Sequence, residues 1–141
     1  MSMFCFQCQE TAKGTGCVVK GVCGKTEEVA QLQDLLIYVA KGISILGTIA
    51  RESRYSNARV DRFVQEALFT TITNANFDGE KIIERIHEGV ELREKFTGEM
   101  KTHGIVIPGD LHPSATWKPA DGEDLLAVSY THLTLPTKRI V

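Results

Sequence analysis

Four cysteines fall within the first 23 residues, and none follows. Cys5, Cys8, Cys17 and Cys23 are spaced C-x2-C-x8-C-x5-C. A disulfide framework spreads its cysteines across a fold to tie distant loops together, and it belongs to oxidising compartments. This crowding at one end argues against that use. Two thiolates three residues apart can chelate one centre from a tight turn, and two more from the following loops complete four-fold coordination. Both zinc and iron–sulfur clusters accept such a set. Zinc modules more often show two short knuckles or bring in histidine, whereas here the second pair is wider and the first histidine is His87.

The surroundings tilt the choice toward iron–sulfur. Gly14, Gly16, Gly21 and Gly24 permit tight turns that aim backbone N–H groups at sulfur. Lys13, Lys20 and Lys25 face a single nearby acid, Glu10. A cluster on four thiolates carries negative charge, and local cations would stabilise it and raise its potential. Phe4 and Phe6 flank the first cysteine and could limit water access. Each of these residues taken alone also reads as an ordinary loop glycine, surface lysine or packing ring.

The 141 residues suit about one domain by length. With 43% hydrophobic and 24% charged residues the chain can bury a core and is not a disordered segment. A formal charge of −2 gives no basic excess for nucleic acid or for an acidic membrane surface. The N-terminus lacks the basic and apolar regions of a secretory signal. The most apolar stretch, residues 35–50, is interrupted by Lys41 and is shorter than the roughly 20 residues of a membrane span. It reads as a buried helix, and the chain as cytoplasmic, with no nucleic-acid or membrane partner.

Beyond residue 25 the pattern is helical. Thr26 can cap a helix opening with Glu27 and Glu28, acids suited to the positive end of the macrodipole. Val29, Leu32, Leu36, Val39, Ile43, Leu46 and Ala50 recur at three and four, and Leu35, Ile37, Ile45 and Ile49 widen the apolar surface. This helix should therefore be packed on more than one side, with Gly42 and Gly47 marking close contact with a neighbour. After a polar turn at 51–57, Val60, Phe63, Val64, Ala67, Leu68, Thr71 and Ile72 define a second helix. Following NANFDG (74–79), with Asp78 as its cap, Ile82, Ile83, Ile86, Val90 and Phe96 mark a third, ending near Gly104. Glu123, Asp124, Leu125 and Leu126 look like the first turn of a fourth.

No phosphate-binding loop, dinucleotide fingerprint, zinc-protease motif or nucleophile elbow is present. His87, His103, His112 and His132 share no ligand spacing and read as surface or capping residues, and Trp117 as a packing anchor. Residues 128–141, VSYTHLTLPTKRIV, alternate Thr with Leu like a strand that has no partner upstream, in conflict with the helical remainder.

The segments FCFQCQETAKGTGC (4–17) and VKGVCGKTEEVAQLQDLLIYVAKGIS (19–44) closely resemble the N-terminus of the hybrid-cluster, or prismane, proteins, which are hydroxylamine reductases. The likeness runs from about Met3, through Ala115–Trp117, to about Ala127. The resemblance implies that Cys5, Cys8, Cys17 and Cys23 each ligate iron in a [4Fe–4S] cluster. It also implies a mainly α first domain of a larger multidomain protein: a cluster-binding loop over 1–26 and a helical bundle over 27–127, incomplete at its C-terminal end. In the parent, a redox electron-donor protein would feed this cluster. It would pass electrons to a hybrid [4Fe–2O–2S] cluster where hydroxylamine is reduced to ammonia and water. The ligands of that second cluster are absent here, so the expectation for this chain is an N-terminal fragment with no catalytic residues. Residues 128–141 resemble translated adapter read-through, a non-native tail.

Two other functions compete. A free-standing electron-transfer module would need no further domains, and a zinc-stabilised helical interaction module would use the same four thiolates. A carbon monoxide dehydrogenase relative is possible at superfamily level, with a poorer match in cysteine spacing.

Overall fold

A computed structural model describes residues 3–73 and 78–132, with side chains through Ser129. Four helices carry the fold: α1 (Glu27–Glu52), α2 (Ala58–Ile72), α3 (Gly79–Thr102) and α4 (Leu125–His132). Single 3-10 turns lie at Ala12–Gly14 and Pro113–Ala115. Among the described residues there is no strand, only an isolated antiparallel bridge between Cys5 and Cys17. The mainly α architecture, with the cysteines in a loop ahead of a helical bundle, matches the expectation.

α1 is the centre of the bundle. The Thr26 hydroxyl accepts from the Val29 N–H at 3.3 Å, and Glu27 and Glu28 occupy the first turn, as the capping pattern requires. Leu35, Leu36, Val39, Ile43, Leu46 and Ala50 are fully buried, and α2, α3, α4 and the 113–115 turn all pack on this helix. Its 26 residues exceed the sixteen-residue apolar run counted in the sequence. By length and composition alone α1 could cross a bilayer; here it is the helix that the others cover.

Gly42 meets a neighbour as expected. The Ser114 carbonyl sits where its Cβ would be, with the carbonyl carbon only 2.5 Å from that position. Gly47 does not; its nearest such atom is Nη1 of Arg51, 3.7 Å away on the same helix. Gly89 in α3 does make a close contact: a Cβ there would come within 2.7 Å of the Phe63 ring and 2.8 Å of Val39.

The ends of α1 and α3 close in the same way. The Ile105 N–H returns to the Met100 carbonyl and the Gly104 N–H to that of Lys101, with Gly104 at φ 73°. At the end of α1 the same two bonds run from Tyr55 to Ala50 and from Arg54 to Arg51, but Arg54, at φ 60°, fills the left-handed position. Asn57 and Asp78 cap α2 and α3 through Oδ1, each accepting from two backbone N–H groups. On α2, Val60, Phe63, Ala67 and Thr71 are buried, while Leu68, Phe69 and Ile72 remain exposed. The expected apolar stripe of that helix is thus only half covered.

Two expectations about the C-terminal part need correction. Glu123 and Asp124 precede the fourth helix rather than open it, and the Asp124 carboxylate accepts from the Leu126 N–H at 3.0 Å as its cap. Residues 128–132 are helical, not strand-like. Leu125 and Val128, three apart, land buried on the core, and the Ser129 hydroxyl donates to the Leu126 carbonyl at 2.7 Å. That burial favours a helix over a strand at 125–129, while Leu133, Thr134 and Leu135 of the Thr–Leu alternation lie outside the described residues. α4 runs unbroken across the 127/128 boundary at which a non-native tail was expected to begin. Residues 133–141, the remainder of that tail, and residues 74–77 of the NANFDG turn lie outside the described residues.

Candidate metal centre

The loop that carries the cysteines is fixed to α1 by a small apolar cluster of Met3, Cys17 and Ala30. Within it Cys5 and Cys17 face each other, their backbones joined by reciprocal N–H···O bonds of 3.0 and 2.9 Å. The Thr11 hydroxyl donates to the Cys5 carbonyl at 3.1 Å, and the Thr11 N–H closes a turn onto the Cys8 carbonyl. Gly16, at φ 143°, lies directly under the Phe4 ring, where a Cβ would collide with the ring edge. The Cys23 turn is closed by the Gly24 N–H on the Gly21 carbonyl and the Gly21 N–H on that of Lys25.

The four thiols differ in exposure. Cys17 is buried, Cys5 half-buried, and Cys8 and Cys23 exposed; all four are free of disulfide. Hydrogen bonding from the Ala12 N–H, at 3.4 Å from Sγ, is the main cause that draws the Cys17 thiol below its ordinary value. The Val22 N–H adds to it against the opposing effect of burial, with smaller help from the Thr11 hydroxyl and the Lys25 charge. The glycine-permitted turns therefore do aim backbone donors at sulfur. This is evident at Cys17.

Of the three lysines, Lys13 and Lys20 are exposed and Lys25 is buried at 4% exposure. Its ammonium reaches Sγ of Cys5 at 3.6 Å, Oε1 of Gln7 at 3.0 Å and the Thr71 carbonyl at 3.3 Å. Phe4 covers Gly16, whereas Phe6 stays 48% exposed and offers little shielding. Gln7 and Thr71 were not anticipated. They are 64 residues apart, and no local spacing signals that the end of α2 meets the loop.

The histidines take no part among the described side chains. His87 and His103 are exposed, and Nδ1 of His112 accepts from the Ser114 N–H as a turn cap. Trp117 packs on the core, edge-on to Tyr38 at 6.0 Å. Among the described residues no three His, Cys, Asp or Glu side chains are gathered closely enough to hold a metal ion. Cys5 and Cys17 are brought together; all four thiols are not drawn to one point. The donor set nevertheless suits an anionic sulfur-ligated group. It offers four thiols in one loop, N–H donors on one sulfur and a buried ammonium on another.

Comparison with known proteins gives the same direction. The chain is 56% identical over 124 residues to the hydroxylamine reductase of Desulfitobacterium hafniense, covering 88% of this chain and 23% of that protein. It is 58% identical over 100 residues to the hydroxylamine reductase of Bacteroides fragilis, covering 71% and 18%. The hydroxylamine reductase of Thermoanaerobacter pseudethanolicus is 47% identical over 138 residues, 98% of this chain and 25% of its own length. The chain thus spans about a quarter of the length of these relatives. The profile of the Prismane/CO dehydrogenase family matches residues 3–133, nearly the whole chain, and the protein belongs to that family.

Proposed function

We propose that this chain forms the electron-relay part of a hydroxylamine reductase of the hybrid-cluster type, with Cys5, Cys8, Cys17 and Cys23 holding a [4Fe–4S] cluster. The arrangement around two of the sulfurs is the observation that carries this reading: backbone N–H donors converge on Cys17 and a buried ammonium on Cys5. At Cys17 the backbone donors favour the thiolate over the thiol, and thiolate is the form that binds metal. Bound there, the cluster supplies one-electron storage and relay.

The residues of this chain act by holding and tuning. The Cys5–Cys17 bridge fixes two ligands relative to each other, and Met3, Cys17 and Ala30 fix both to α1. The cubane form, rather than another cluster or zinc, is part of the proposal and rests on the resemblance of the cysteine segment to the hybrid-cluster proteins. In the whole protein a redox donor would deliver electrons to this loop. Hydroxylamine would be reduced elsewhere, taking two electrons and two protons to give ammonia and water. The apolar side chains left exposed beside the loop (Val18, Val19, Val22) and at the end of α2 (Leu68, Phe69, Ile72) suit a chain that works within a larger protein.

Reduced-dye turnover tests the division of labour. The 141-residue chain, reconstituted anaerobically, should consume no hydroxylamine above the cluster-free control, while a full-length relative assayed alongside should turn over. Steady turnover by the 141 residues alone would overturn it.

A further inference from the structure

Lys25 makes contacts that cluster ligation alone does not require. Its stem passes Gly21, where any Cβ would come within 2.9 Å of the Lys25 Cβ. Its Nζ then meets three acceptors, the Gln7 amide oxygen, the Thr71 carbonyl and the Cys5 sulfur. An ammonium has three donors and no acceptor, and the nest offers it three acceptors. Gln7 is in turn held by the Thr71 hydroxyl, to which its Nε2 donates at 3.1 Å, and that hydroxyl donates to the Leu68 carbonyl at 2.8 Å. The last turn of α2 thus fixes the position of a charge that belongs to the loop.

A buried charge is normally paired. Among the described residues no carboxylate pairs with Lys25, and two of its three acceptors are neutral carbonyls. The Cys5 sulfur is the one acceptor that would carry negative charge as a cluster ligand. We infer that Lys25 is a positioning residue for the cluster's redox properties: its buried ammonium, clamped by Gln7 and Thr71, is the counter-charge to the Cys5 thiolate and raises the potential of whatever cluster that thiolate ligates. Reduction adds negative charge beside a fixed positive one, so the reduced form is the one favoured. Lys13 and Lys20, exposed to water, are screened and contribute little.

This inference rests on the proposed cluster, and the experiment separates the two. Iron and acid-labile sulfide are measured first on the anaerobically reconstituted chain, and an EPR-monitored redox titration follows. Wild type without sulfide would overturn the cluster reading and this inference with it. With the cluster present, Lys25→Met should hold the same iron while its one-electron reduction constant falls roughly threefold to tenfold, about 30–60 mV at 59 mV per decade. Lys25→Arg, which keeps the charge, should recover most of that shift. A Lys25→Met chain with full iron and sulfide and an unmoved potential would overturn the inference alone. Should Lys25→Met fail to hold iron, Gln7→Met decides, because it frees the ammonium without removing it. Its potential should move the same way by less, and no movement would overturn the inference.

Discussion

Single residues here can be read through what they titrate against. His112 caps the 113–115 turn; although the residue is exposed, partial desolvation of its ring, followed by the Lys41 ammonium 3.3 Å from its Nε2, holds its pKa below the ordinary value. The unfolded chain therefore takes up this proton at a higher pH than the folded one. The stabilisation is fully present above the unfolded pKa of about 6.5 and is lost as pH falls through the folded value. Thermal unfolding followed from pH 7.5 down to pH 5 should show a steeper loss for wild type than for His112→Asn, whose side chain can still cap the turn. Parallel slopes would contradict this assignment. The sequence leaves His112 as a surface or capping residue; its contact with Lys41 is not legible there, because the two lie 71 positions apart.

Helical glycines show the same division at the scale of elements. Gly42 is where α1 and the 113–115 turn touch, and the Ser114 carbonyl there cannot retreat cheaply. It accepts from Nη1 of the buried Arg93 at 3.0 Å, and Ser114 itself is fully buried. Gly42→Ala should destabilise by about 1–3 kcal/mol, the overpacking cost exceeding any gain in helix propensity. Gly98, on the exposed side of α3 with nothing near its Cβ position, should behave oppositely. Gly98→Ala should stabilise by about 0.5–1 kcal/mol. Urea unfolding of the two variants checks the pair, and a stabilised Gly42→Ala would mean that the contact between α1 and the turn is looser than described. Period and caps reveal the first three helices, and Thr26 and Asp78 announce themselves locally as caps. Which glycines make contacts depends on tertiary neighbours. That is why Gly47 was expected to make one and Gly89 was not. The extent of the fourth helix is hidden for the same reason: that Leu125 and Val128 are buried on the core depends on tertiary neighbours.

At the scale of the molecule, a loop that cannot form a core of its own is attached to a bundle that can. The apolar interior of the bundle runs through all four helices, while the loop contributes only a small cluster against Ala30. The crowding of four cysteines is legible in the sequence as a candidate metal-binding loop. The link from the loop to α2 through Gln7, Lys25 and Thr71 was not legible, because it joins residues whose local patterns are unrelated. Membership of the Prismane/CO dehydrogenase family, and relatives about four times as long, place such a chain beside hydroxylamine reductases.

The central claim is that the four thiolates hold a cubane cluster. It is tested most directly by iron and acid-labile sulfide per chain on anaerobically reconstituted protein, with EPR spectra before and after dithionite. About four irons and four sulfides, with a signal that appears only on reduction, is the result expected of a [4Fe–4S] site. Zinc without sulfide, or no bound metal in a chain that is folded and helical, would contradict it.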